Sequence, residues 1–499
     1  MPKRKPIFYS ALLLTLVNLL LRFVGTTFQV YISSRLGAAG VGLLQLVMSV
    51  ASLAMVAGMA GIRTATMYLT AEELGRRKPK NVAWVLSGCF LYSILCSGSV
   101  ALLIYCLAPT IAQLWIGDLR TVEALRLFAA FLPVTCLCGV MTGYFTAANR
   151  IGTLAAVEVA EQLASMAVTM AALTFWAGSD PGRACQSVVL GSCIGACLTL
   201  MCLILLRLKE RSPTGEPIPV RSRLMHAAVP LALADVLKSG ITTTENLMVP
   251  KRLALNPMVD SPLAAFGMVS GMVFPVLMFP ACILFGLAEL LIPELARCAA
   301  AESRQRITYL VRRSLKVAML YGLLFFGWLF LLAQDLCLSL YGSPEAGRYL
   351  MLYALLVPML YCDTIVDAMT KGLGQQKACV RYNIITNALD VVLLFLLLPV
   401  YGMEGYFFSF LVTHLLNFCL SLGRLLKITG LTIPFYIPAL SLSAALAAVW
   451  SAAHVKSPVF RAGAYAAVLC CLLYLLKIIG KEDLRWLKGL IQKNDLTNR

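Results

Sequence analysis

The chain has 499 residues, of which 60% are hydrophobic and only 13% charged, with a mean hydropathy of +0.82. An ordinary soluble domain is roughly 45–50% apolar and about 25% charged, so this composition excludes a cytosolic enzyme and fixes an all-α polytopic membrane protein. The formal net charge of +18, from 42 Lys and Arg against 24 Asp and Glu, belongs by its distribution to membrane orientation and anionic lipid, not to nucleic acid.

Apolar runs able to span a hydrocarbon core, which takes about 20 residues, recur along the whole chain. They predict fourteen segments at 7–31, 41–70, 82–108, 121–146, 154–177, 186–208, 224–249, 263–291, 309–333, 348–371, 380–399, 404–426, 434–453 and 459–478. The N-terminal residues, even-numbered connections and C-terminal tail carry 22 of the 42 Lys and Arg, and the odd-numbered connections carry 6. By the positive-inside bias both termini are expected in the cytoplasm. Arg76, Arg77, Lys78, Arg221, Arg223, Arg312 and Arg313 then face the cytoplasmic leaflet, where they contact anionic lipid.

The seventeen cysteines are scattered through apolar stretches, where a thiol acts as a small hydrophobe, and no disulfide framework or metal site is expected. The longest connection, 292–308, is too short for a catalytic domain. Gly342-x4-Gly347 lacks the Lys and the Ser or Thr of a phosphate-binding loop. The chain is read as a transporter without an ATPase, not an enzyme.

Gly61 and Gly286 stand 225 residues apart, as do Pro133 and Pro358, in matching segments. With Arg22 before Gly25-Thr26-Thr27 and Lys238 before Gly240, they predict two pseudo-symmetric six-helix lobes related by an axis along the membrane normal. The expected divisions are an N-terminal lobe at 1–208, a cytoplasmic linker at 209–223 and a C-terminal lobe at 224–427. Residues 428–499 supply two extra helices and a basic cytoplasmic tail.

Charges at bilayer depth cost at least ~2.5–3.5 kcal/mol and normally face a partner or a wet cavity. Asn18, Arg22, Gly25 and Gln29 share one face of segment 1, and Asp235, Lys238, Thr242 and Glu245 do much the same on segment 7. Gln45, Ser49, Ser52 and Arg63 lie on one face of segment 2. Arg22, Arg63 and Lys238, supported by Asn18 and Gln29, are therefore the expected site for an anionic headgroup. A diphosphate suits the planar guanidinium fork. For Lys238 the rival reading is neutralisation by Asp235. Glu158, Glu161, Asp235, Glu245, Asp363, Asp367 and Asp390 are read either as counter-charges or as sites for a coupling ion. Gly139/Gly143, Gly191/Gly195 and Gly267/Gly271 have GxxxG spacing and should permit close helix approach.

The stretch Arg22-Phe-Val-Gly-x5-Tyr31-x2-Ser34-Arg35-Leu-Gly-Ala-Ala-Gly-Val-Gly-Leu-Leu-Gln45 resembles the opening of the stage V sporulation protein B and polysaccharide-transporter group. That group lies within the multidrug/oligosaccharidyl-lipid/polysaccharide exporter superfamily. The resemblance implies two lobes rocking around a central cavity, with segments 13 and 14 forming a groove for a polyprenyl tail. It also implies arginines on segments 1, 2 and 8 of the related lipid II flippases; Arg22 and Arg63 match the first two. Segment 8 offers only Glu289, with Arg297 beyond it, and Lys238 is the expected substitute. The implied activity is export of a polyprenyl-diphosphate-linked sugar across the bacterial cytoplasmic membrane. No cofactor is needed beyond coupling to Na+, H+ or the membrane potential, and cell-wall or polysaccharide synthesis proteins are expected partners. The alternatives are a cation-coupled multidrug antiporter, a membrane-embedded sugar polymerase or ligase, and a scaffold for wall synthesis.

Overall fold

A computed structural model describes residues 5–75, 81–148, 150–178, 180–208, 220–432, 434 and 436–480. The basic residues Lys3, Arg4, Arg76, Arg77 and Lys78, most of the 209–223 linker and the tail from 481 onward lie outside the described residues, as do the side chains of Asn18 and Arg221.

Every regular element among the described residues is helical. In chain order they are α1 (Lys5–Met59), α2 (Ile62–Gly75), α3 (Val82–Thr110), α4 (Val122–Ala147), α5 (Ile151–Ala172), α6 (Pro181–Leu208), α7 (Val220–Leu253) and α8 (Pro262–Gly267). There follow α9 (Phe274–Met278), α10 (Cys282–Ala300), α11 (Arg304–Tyr341), α12 (Pro344–Ala354), α13 (Val357–Gly372), α14 (Gln376–Thr429), α15 (Tyr436–Ala452) and α16 (Pro458–Leu475). Turns of π-helix extend α3 and α5 and join α8 to α9.

By length and composition, eight helices among the described residues can cross a membrane, or ten when each bent pair counts as one span. Fourteen segments were expected. The difference arises because α1 and α14 each run through two expected segments and turn at a single glycine. Gly37 (φ 67°, ψ 174°) and Gly402 (φ 55°, ψ −133°) take left-handed backbone that other residues adopt only under strain. The other two expected segments are α7, charged at Asp235, Lys238 and Glu245, and the short α15 of 17 residues.

Contacts divide the chain into two compact units. Unit 1 is Met1–Pro275 with Asn387–Phe410, and unit 2 is Val276–Thr386 with Leu411–Arg499. In unit 1, α3, α4 and α2 enclose a core of Ile62, Leu69, Val85, Cys89, Val140 and Phe145, with Leu224 and Ala228 of α7 added at one end. Lipid tails are as apolar as leucine, so such helices gain most from close packing. All three GxxxG pairs show it: Gly143 meets the backbone of Arg63, Gly191 meets Thr169 and Ser165, and Gly267 packs on Ala38 and Gly42. In unit 2, α16 docks on α11. The Tyr465 ring occupies the space left by Gly327, its hydroxyl donates to Leu323 O at 2.6 Å, and Trp328 Nε1 donates to Ala462 O at 3.1 Å.

Breaks in the helices leave carbonyls that must find donors, since lipid offers none. Pro399 has no N–H for the carbonyl of Phe395. Arg252 supplies two, through Nε at 3.1 Å and Nη2 at 2.7 Å, with its guanidinium 3.6 Å above the Phe395 ring. Between α9 and α10, Tyr361 donates to Leu277 O at 2.8 Å and Tyr321 to Pro280 O at 2.7 Å. The repeat markers behave differently in the two halves. Gly61 stands at a break, whereas Gly286 lies inside α10. Pro133 lies inside an unbroken α4, whereas Pro358 opens α13 after a 57° bend from α12.

Candidate functional site

One expected cation, Arg63, and the Gly25 turn that follows Arg22 stand beside one face of α5. Gly25, one turn beyond Arg22 on α1, has its open side 3.6 Å from Gln162 Nε2. Arg63, in the first turn of α2, acts electrostatically on Glu158, one turn before Gln162. Both guanidinium-bearing residues are exposed, and Glu158 is half-buried. Gln29 turns inward, and its buried Nε2 has no hydrogen-bond partner among the described residues. Glu161 is engaged instead with its neighbour α6, accepting from Thr199 Oγ1 at 2.7 Å. Gln162 escaped the sequence reading, although its spacing of four from Glu158 places both on one face.

The single polar face expected on segment 2 is not continuous. Ala60 and Gly61 take positive φ (42° and 71°), so helical spacing does not carry from Ser52 to Arg63. Ser49 is buried against α7, with its carbonyl accepting from Thr243 Oγ1 at 3.1 Å and its hydroxyl from Asn246 Nδ2 at 3.0 Å. Further back on α7, Asp235 and Lys238 are both exposed. No ion pair joins them among the described residues, and no contact there joins Lys238 to Arg22 or Arg63.

The remaining acids separate into three settings. Glu245 of α7 lies against Asp390 of α14 within hydrogen-bonding reach, with Tyr406 beside both. Asp390 is 5% exposed, and its Oδ1 accepts from Ser409 Oγ at 2.5 Å. In unit 2, Asp363 Oδ2 is 3.5 Å from Asn417 Nδ2, while Asp363 Oδ1 and Asn417 Oδ1 are buried without donors among the described residues. Asp367 pairs with Lys371 one turn on, at 2.5 Å. Glu289 is exposed, and Arg297 pairs with Glu294 at 3.6 Å. Ser409, Tyr406 and Asn417 could not be assigned from sequence, because their partners lie on other helices or across a kink.

A recess of about 140 Å³ also opens beside Tyr31, Arg35, Thr174 and Asp180, with the Arg35 guanidinium 5.7 Å over the Tyr31 ring. Among the described residues, no group of three His, Cys, Asp or Glu could hold a metal ion.

Known proteins share both sequence and fold with this chain. Stage V sporulation protein B of Bacillus subtilis (strain 168) is 22% identical over 506 residues, covering 95% of this chain and 96% of that one. The lipid II flippase MurJ in an inward closed conformation superposes with a TM-score of 0.69 at 13% identity, over 93% of this chain and 98% of the other. An inward-facing multidrug resistance MATE family transporter of the MOP superfamily gives 0.65 at 12% identity, over 84% and 100%. The MatE family model matches residues 14–176 and again 230–396. With two stretches matched over more than half its length and the all-helical fold shared, the chain belongs to the MatE family and is a multi-pass membrane protein.

Proposed function

We propose that this protein is a flippase that moves a polyprenyl-diphosphate-linked sugar, a precursor of peptidoglycan or polysaccharide, across the bacterial cytoplasmic membrane by alternating access. The observation that carries the reading is the placement of Arg63 as an exposed cation beside Glu158 of α5, with the exposed Arg22 one turn before Gly25, which meets Gln162 of the same face. A guanidinium pair suits the two phosphates, each taking a forked hydrogen-bonded contact, while Gln162 and Gln29 suit sugar hydroxyls. Lys238 contributes charge on entry. Kinship to a sporulation protein and a fold shared with a lipid II flippase favour this substrate over a cationic drug. The polyprenyl tail stays in the bilayer against α15 and α16, and no covalent step is required.

The distribution of Lys and Arg supports cytoplasmic termini, which puts the end of α2 at Glu72 and the start of α7 on the cytoplasmic side. Glu245 and Asp390, with Ser409 and Tyr406, make an oxygen-rich group suited to a coupling H+ or Na+.

The test is binding of a short-chain prenyl-diphosphate sugar to purified protein, followed by a flipping assay in vesicles. Charge-assisted hydrogen bonds are worth roughly 1.5–3 kcal/mol, so Arg22→Ala and Arg63→Ala should each weaken binding by about tenfold or more. Thermal stability should be kept, and Arg63→Lys should retain part of the affinity. Unchanged binding and flipping in the double variant would reject the diphosphate reading. Tight binding of lipophilic cations by the same protein would favour a drug antiporter.

A further inference from the structure

At the end of unit 1 assigned to the cytoplasm, α2 and α7 are joined by a forked ion pair. Arg223, in the first turn of α7, places Nη1 2.8 Å from Glu73 Oε1 and Nη2 2.6 Å from Glu72 Oε2. Asn81, which opens α3, donates Nδ2 to Glu73 Oε2 at 3.2 Å. Both carboxylates raise the Arg223 pKa above its ordinary value through these hydrogen bonds. Glu73 is 2% exposed, but the side chains of Arg223 and Glu72 keep 29% and 25% of their surface in solvent. Further into the seam, the backbone of Gly61 packs against Ala228 O, and a Cβ there would stand 2.6 Å from it. The positive φ of Ala60 and Gly61 makes α2 a separate rod of 14 residues, and Tyr92 caps the break by donating to Ala60 O at 3.2 Å.

The opposite end of the same seam is built differently. There α1 meets α8 and the π-turn after it through small residues: Gly42 against Leu263 and Gly267, Val41 against Gly271, with Ser33 Oγ donating to Gly271 O at 2.9 Å. Parting those surfaces would strip close-packed backbone of its contacts. Parting the Arg223 fork returns three charged groups to water that already reaches two of them, and hydration offsets most of the lost attraction.

We propose that Arg223, Glu72 and Glu73 form an ionic latch that holds the cytoplasmic ends of α2 and α7 together and must release for the cavity to open inward. The latch rests on the transporter reading for its purpose, since it governs access to the Arg22 and Arg63 site, but its test needs no substrate.

The experiment is a spin-label distance measurement between Ala71 of α2 and Met225 of α7, both exposed. It uses full-length protein in lipid nanodiscs, with the exposed Cys106, Cys419, Cys470 and Cys471 replaced. The parent protein should give mainly the short distance. Arg223→Gln removes both charge-assisted contacts and should raise the ratio of long to short distances by about tenfold or more, since hydration offsets most but not all of the loss. Glu72→Gln should do so more weakly, and Arg223→Glu should be reversed by adding Glu72→Arg. Unchanged distances in Arg223→Gln and in a Glu72→Gln/Glu73→Gln variant would overturn the latch while leaving headgroup binding untouched. Failure of both variants to fold would also overturn it, by making the pair a structural clamp. Loss of binding in the Arg22 and Arg63 variants bears only on the substrate.

Discussion

The cations of α1 and α2 and the acids of α7, α13 and α14 are treated oppositely by the fold. Arg22 and Arg63 are left exposed, Arg63 beside Glu158 of α5. Glu245, Asp363 and Asp390 are drawn against hydrogen-bonding neighbours, and Asp390 is nearly sealed from solvent. Burying a charge demands partners that remain in place, whereas an exposed cation stays in contact with water and can exchange that water for a ligand. In the proposed mechanism the two sets divide the work: the exposed cations meet the substrate, and the buried acids belong to the internal structure and its coupling.

This division can be broken most decisively at Asp390. Asp390→Ala removes the acceptor of a 2.5 Å hydrogen bond from Ser409 and leaves Glu245 and Tyr406 around an emptied site. Thermal unfolding in detergent should show a loss of about 2 kcal/mol, against no measurable loss for Arg63→Ala. Equal destabilisation by both changes would erase the distinction. The half-exposed pair of Asp367 and Lys371 should fall between the extremes. Its side chains keep 32% and 38% of their surface, so Asp367→Asn should cost no more than about 1 kcal/mol in the same assay, and less in high salt.

The smallest effect is expected at Asp118, in the turn between α3 and α4. Its carboxylate accepts from the Arg120 guanidinium at 2.5 Å and from the Arg120 backbone N–H at 2.9 Å. These bonds hold its pKa below the ordinary value of 3.8. A depressed folded-state pKa stabilises the turn fully above the ordinary value and is lost as pH falls through the folded one. The protection of amides 117–121, measured against their intrinsic exchange rate at each pH, should therefore fall below about pH 4. In Asp118→Asn that acid-dependent change should vanish. Protection that does not change with pH in the parent protein would show that this loop acid gives the turn nothing.

Composition alone determined that this chain lives in a membrane and is helical, because only a bilayer can accommodate so many apolar residues and only internally bonded backbone can cross it. The polar faces expected on segments 1 and 7 are a reading from spacing within one helix. The use of GxxxG pairs was legible, because small size is written in the residue itself. Tertiary structure decided the rest. Whether Asp235 neutralises Lys238 depends on rotamers and neighbours, and among the described residues they form no ion pair. The face expected from Ser52 to Arg63 was interrupted by two positive-φ residues, which a helical period cannot register. Arg223 read from sequence as an orientation signal. Its fork to Glu72 and Glu73 exists only because folding brings together residues about 150 positions apart. Partners within one helix are fixed by a 3.6-residue period. Partners on different helices are fixed by where kinks point and where small residues let backbones meet, and only the folded chain carries that information.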